Sequence, residues 1–129
     1  MNFPETNFPF LLDNPRAWRT YLGGSQIDKL HGKKTGEDGH FPEEWILSTV
    51  AARNAGREQY TEEGMSHLKG TDTTLKEVLK SDPAGYLGAG HTDASLGVLT
   101  KLIDSAERLT LQVHPDKSTA LRLFHSPYG

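Results

Sequence analysis

Residues Leu109-Thr110-Leu111-Gln112-Val113-His114 alternate apolar and polar side chains without a break. A period of two is the pattern of a half-buried strand. Just upstream, Leu99-Thr100-Lys101-Leu102-Ile103-Asp104 is a second run rich in β-formers. Ser105-Ala106-Glu107-Arg108 joins the two runs as a short hairpin-like turn. Pro115 cannot donate to a ladder and ends the second strand. The pair commits the chain to antiparallel β structure.

The remaining segments fit around that pair. Glu44-Trp45-Ile46-Leu47-Ser48-Thr49-Val50 reads as a further strand. Thr73-Thr74-Leu75-Lys76-Glu77-Val78-Leu79-Lys80 reads as a helix, with Leu75, Val78 and Leu79 on one face and Thr73 or Thr74 as cap. Pro83 closes that segment. Asp116 or Ser118 caps a short helix through Leu121, Leu123 and Phe124. Residues 3–15, with Phe3-Pro4, Phe8-Pro9-Phe10 and Asn14-Pro15, read as an irregular arm that buries its rings. Tyr21-Leu22-Gly23-Gly24 is a turn, and residues 31–42, 53–64 and 85–97 are polar, glycine-bearing loops. Thirteen Gly and seven Pro argue against a helical bundle. The expected fold class is mainly β, with a few short helices and long loops. Residues 1–129 form one domain with no internal boundary.

The charge balance excludes some partners. With 14 basic and 17 acidic residues, the net charge of −3 gives no footprint for nucleic acid or an anionic membrane. No apolar run approaches the ~18 residues that span a bilayer. The opening Met1-Asn2-Phe3-Pro4-Glu5 is polar and proline-broken, unlike a secretory signal. The lack of cysteine excludes disulfides and thiolate metal sites, and suits a reducing, cytoplasmic setting.

Three side chains of the last strand share a face: Thr110, Gln112 and His114. Gln112 offers a carbonyl oxygen and His114 an imidazole nitrogen. Two strand rises set them roughly 6.5–7 Å apart. Both can converge on an object held over a sheet, although spacing alone fits the polar face of an ordinary strand equally well. Lys101 is flanked by Leu99, Leu102 and Ile103. A lysine on a buried strand needs an anion beside it. Asp116 is most simply a turn or helix cap, and Glu44 a surface carboxylate. His31, His40, His67, His91 and His125 read as exposed loop histidines. The glycines at 23, 24, 88 and 90 lack the Gly-x-x-x-x-Gly-Lys pattern of a phosphate cradle and read as turns.

Taken together, Gly23-Gly24, Glu44-Trp45 with its Ser-bearing strand, Asn54-Ala55-Gly56, the Lys101 strand and Gln112-Val113-His114-Pro115-Asp116 resemble the N-terminal part of a class I mannose-6-phosphate isomerase. The resemblance implies a cupin-type β-barrel, incomplete in these residues, with one bound zinc ion. It implies the interconversion of mannose 6-phosphate and fructose 6-phosphate, a small-molecule sugar phosphate being the partner. Gln112 and His114 match the first two of the family's four zinc ligands, which are Gln, His, Glu and a second His. Lys101 matches a lysine of the substrate pocket. Thr110 stands where the family usually has a phosphate-holding Ser and keeps the hydroxyl.

Two departures qualify the match. The family's ligand Glu follows a Tyr-Gly-Lys-Thr-type turn, whereas this sequence stops at Tyr128-Gly129. Leu22 stands where many relatives have Trp. The resemblance thus implies an N-terminal piece, inactive and unmetallated by itself, because two neutral ligands leave a dication short of donors. No residue here is a clear general base. The alternative expectation is a non-catalytic cupin-like module that binds a sugar or sugar phosphate, since one fold hosts many functions.

Overall fold

The structure, a computed structural model, describes residues 3–126. Residues 1–2 and 127–129, with Tyr128-Gly129 among them, lie outside the described residues. Five strands form two antiparallel sheets. The smaller sheet pairs β1 (Leu12–Asp13) with β4 (His67–Leu68). The larger runs β2 (Arg16–Ala17), β3 (Glu43–Leu47), β5 (Thr100–Ile103), with β3 in the middle. This accords with the expected β class. Among the described residues, the sheets do not close into a barrel.

In the central pair Glu43 faces Ile103, Glu44 faces Leu102 and Trp45 faces Lys101. The register then slips, so that Leu47 faces Thr100 and one extra residue, Ile46, makes a bulge. The expected strand over 44–50 therefore ends at Leu47. Ser48 turns away, and its N–H donates to Ser66 Oγ at 3.0 Å while Ser66 N–H donates back to Ser48 O at 3.0 Å. Both serines are fully buried, and this double tie satisfies backbone groups that no ladder reaches.

Among the described residues there are four short helices: α1 (Ser25–Leu30), α2 (Leu75–Ser81), α3 (Pro83–Leu87) and α4 (Lys117–Phe124). The helix expected near residue 74 is α2. Thr74 Oγ1 accepts from Glu77 N–H at 3.1 Å and the Glu77 carboxylate accepts from Thr74 N–H at 2.8 Å. This is a capping box, and it seats Leu75, Val78 and Leu79 inside. Pro83 does more than close that segment. It opens α3, whose first turn is capped by Asp82. Asp116, one of the two expected caps, holds the start of α4 by accepting from Thr119 N–H at 2.7 Å. From the N-terminal arm, Phe10 reaches the Tyr86 ring edge-on, whereas Phe8 stays exposed.

The hairpin expectation fails in its second half. Residues 109–114 join no ladder, and Leu111 and Val113 are 97% and 87% exposed. The physical reason lies in the connecting residues. Asp104 Oδ2 accepts from Gln26 N–H, Ser105 bridges Gly23, Ala106 N–H donates to Leu22 O, and Glu107 Oε1 accepts from Leu22 N–H. Those four contacts engage the turn with residues 22–26 instead of folding it back along β5.

Gly23 is more than a turn residue at this seam. A Cβ there would sit 1.8 Å from Asp104 O. Gly24 caps α1 with φ at 107°, in the left-handed region that favours glycine.

Candidate functional site

Ala17, Trp45 and Ala52 form a buried cluster, with Val50 and Leu99 packed against it. The charged centre of the molecule stands beside this cluster. Glu43 and Trp45 are two residues apart on β3 and so point to one side. The Glu43 side chain is only 4% exposed. Its Oε1 accepts from Tyr21 Oη–H at 2.6 Å. Its Oε2 accepts from Trp45 Nε1–H at 2.8 Å and from Lys101 Nζ at 3.1 Å, and pairs with Arg19 Nη2 at 3.1 Å. Arg19 also lies over the Trp45 ring, 5.1 Å from its centre.

Burial by itself would raise the Glu43 pKa. Hydrogen bonds from Arg19, Tyr21 and Trp45, with the Arg19 charge, outweigh it and bring the carboxyl down to about 2. Tyr21 moves the other way: burial, then its bond to the Glu43 carboxylate, push its hydroxyl above the ordinary tyrosine range. A carboxylate so saturated with donors is a structural anion. It is too weak a base near neutral pH to take a proton from a substrate.

Lys101, assigned by resemblance to a substrate pocket, is thus beside an anion that belongs to the chain. One of its three Nζ donors goes to Glu43 and the side chain is partly exposed, so two donors remain open. Arg19 and Lys101 against Glu43 leave one unit of positive charge at this spot.

The other three expected residues stand elsewhere. Thr110, Gln112 and His114 are exposed on the unpaired segment after β5. Among the described residues none of them makes a hydrogen bond or ion pair, and no contact joins them to Lys101. Asp116, beside them in sequence, is committed to capping α4. Among the described residues no group of three His, Asp or Glu side chains could hold a metal ion. Gln112 and His114 alone do not meet the donor count of a zinc site.

Glu43 carried no assignment from the sequence, and Glu44 read as a surface carboxylate. The structure buries both. Glu44 Oε2 lies 2.6 Å from His31 Nε2; His31 is exposed in the turn after α1, as read, and adds this one partner to a buried carboxylate. His40 is likewise engaged: its ring stacks on Trp18, and Nδ1 donates to Arg19 O at 2.9 Å. His67 is part of β4. The missed signal for Glu43 was present: Arg19/Tyr21 and Glu43/Trp45 are both pairs two residues apart. On the extended backbone of β3 Glu43 and Trp45 share a face, while Arg19 and Tyr21 reach Glu43 from the bend after β2.

Comparison with protein-family models, with curated proteins and with solved structures finds no match. Among the described residues, no helix is long and apolar enough to cross a membrane.

Proposed function

We propose that this chain is the N-terminal part of a zinc-dependent mannose-6-phosphate isomerase of cupin type, acting in the cytoplasm. The observation that supports the reading best is the state of Gln112 and His114. Both side chains are exposed and uncommitted within a Gln-x-His-Pro-Asp sequence, as residues waiting for a metal shell would be. The open Nζ donors of Lys101 and the free hydroxyl of Thr110 suit a phosphate grip. The described residues do not fit a zinc ion by themselves, so the reading requires further ligands from sequence beyond Gly129.

The test uses a longer form of the protein that continues past Gly129, with metal analysis by mass spectrometry and a coupled isomerase assay. One zinc per chain and turnover of mannose 6-phosphate are expected. Joint replacement Gln112→Ala with His114→Ala is expected to remove both. Full turnover by that double variant, or after exhaustive zinc removal, sinks the reading. Binding of the sugar phosphate without turnover would favour the non-catalytic module instead.

A further inference from the structure

We propose that the loop over residues 51–61 forms a second, separate site that binds a phosphate group, gripped by Arg53 and Arg57. The loop follows β3 and lines an open cleft of about 350 Å³, large enough for a small ligand. Arg53, Asn54, Arg57, Glu58, Tyr60 and Thr61 supply its polar lining.

The hydrogen-bonding capacity left open in that lining consists mostly of donors. Arg53 is exposed and makes no hydrogen bond or ion pair among the described residues. Arg57 is held in place: its guanidinium lies over the Trp18 and Tyr60 rings, 5.0 and 4.1 Å from their centres, and Nη2 donates to Glu63 Oε1 at 3.2 Å. Its Nη1 makes no hydrogen bond and is the donor left for a ligand, while its Nε–H and the Glu63 Oε2 are both buried without a partner. The Tyr60 and Thr61 hydroxyls are free as well.

The acceptors are engaged in part, with Glu58 Oε2 left open in the lining. Asn54 Oδ1 accepts from Arg19 Nη1 at 3.4 Å, and Glu58 Oε1 accepts from Gly56 N–H at 2.9 Å. Two guanidinium groups and two hydroxyls outnumber the one open carboxylate oxygen of the lining, so the excess of donors favours a ligand made of acceptors. Two guanidinium groups with two hydroxyls match the several oxygens of a phosphate. A stacked and tethered arginine also loses little freedom when it binds.

The charge balance sets the strength. Arg53 and Arg57 against Glu58 leave one positive charge in the lining, and the Glu63 carboxylate paired with Arg57 offsets it. Binding is therefore weak and falls as salt rises. None of Lys101, Thr110, Gln112 and His114 lines this cavity, so the inference stands apart from the isomerase reading and can hold or fail without it.

The experiment is a titration of the 129-residue chain at low salt, followed by amide proton–nitrogen NMR. The probes are inorganic phosphate, mannose 6-phosphate, free mannose and acetate. Phosphate and the phosphate monoester are expected to shift the amides of residues 51–61, and mannose and acetate to leave them in place. Equal shifts from both phosphates mean that the group alone is read; a stronger response to the monoester means that the attached sugar adds contacts. Arg53→Ala, which removes an exposed and unpartnered side chain, is expected to weaken the response about tenfold while leaving the spectrum otherwise folded. Thr61→Val is expected to weaken it less. An unchanged titration in Arg53→Ala overturns the proposal. So does an equal response to acetate or free mannose, or phosphate-induced shifts confined to residues outside the loop.

Discussion

Replacing Glu43 by Gln should cost the fold about 3 kcal/mol near neutral pH, and two routes reach that figure. The first is linkage. The carboxyl sits at about 2 in the folded chain against an ordinary 4.5, and each pKa unit between folded and unfolded chain is worth about 1.4 kcal/mol. The second is direct. Removing one partner of a buried pair leaves the other charge uncompensated and costs roughly 3–5 kcal/mol. Arg19 and Lys101 are 18% and 31% exposed, so water screens them in part and the lower end applies. The sign follows from the depressed pKa. The stabilisation is present above about 4.5 and is lost as pH falls through about 2.

The assay is urea unfolding followed by Trp fluorescence, because Trp45 donates to Glu43 and reports on the site. Expected outcomes are a lower midpoint with an unchanged slope and a drop in melting temperature of roughly 10–15 °C. Asp28, Glu77 and Asp116 are also held below their ordinary carboxyl range. They soften the wild-type fold in acid too, so the quantity to plot is wild type minus Glu43→Gln. That difference should shrink towards zero between pH 5 and about 2. A variant within about 0.5 kcal/mol of wild type at neutral pH, or a difference that stays flat down to about 2, would falsify the reasoning.

Other changes test the scaffold around that centre. Thr74→Ala removes one half of the α2 capping box and should cost about 1 kcal/mol, with Thr74→Ser recovering most of it in the same urea series. Gly23→Ala forces a Cβ to within 1.8 Å of Asp104 O and should cost about 2 kcal/mol or more; an unchanged midpoint would show that the Gly23 seam yields easily. His31→Ala removes a half-exposed partner from buried Glu44. It should cost about 1 kcal/mol or less, read by thermal unfolding, and a larger loss would mean that the imidazole also packs.

What the sequence disclosed divides along the line between local and distant interactions. β3 and β5 were legible because each is a short run of β-formers, and α2 because its i/i+3/i+4 spacing and its Thr cap act within a few residues. The Asp116 cap was legible for the same reason. α1 was not, because it has six residues with two apolar positions, Ile27 and Leu30, of which only Ile27 is buried, and two positions are too few to set a period. It starts from Gly24 in a left-handed conformation, with no side-chain cap. Residues 109–114 carry the strand period in full, yet a strand exists only where another offers a ladder, and alternation cannot report whether one does. Leu111 and Val113 remain in water as a result.

Lys101 shows the same division at the site. The inference that a lysine among Leu99, Leu102 and Ile103 requires an anion rested on a buried strand, whereas β5 is only half-buried, with Ile103 exposed; the anion is present all the same. The identity of that anion depends on which segments meet, and β3 brings Glu43 opposite β5 within 3.1 Å. The pairing does not remove Lys101 from a binding role. A carboxylate already shared among Arg19, Tyr21 and Trp45 fixes the ammonium in place without using its other two donors. Lys101 is in this way both a structural partner of Glu43 and a positioned cation. Glu43→Gln separates the two roles: it frees Lys101 from its tether while leaving the charge. A phosphate ligand that depends on the position of Lys101 should then bind more weakly to Glu43→Gln, whereas one that depends only on its charge should bind at least as well.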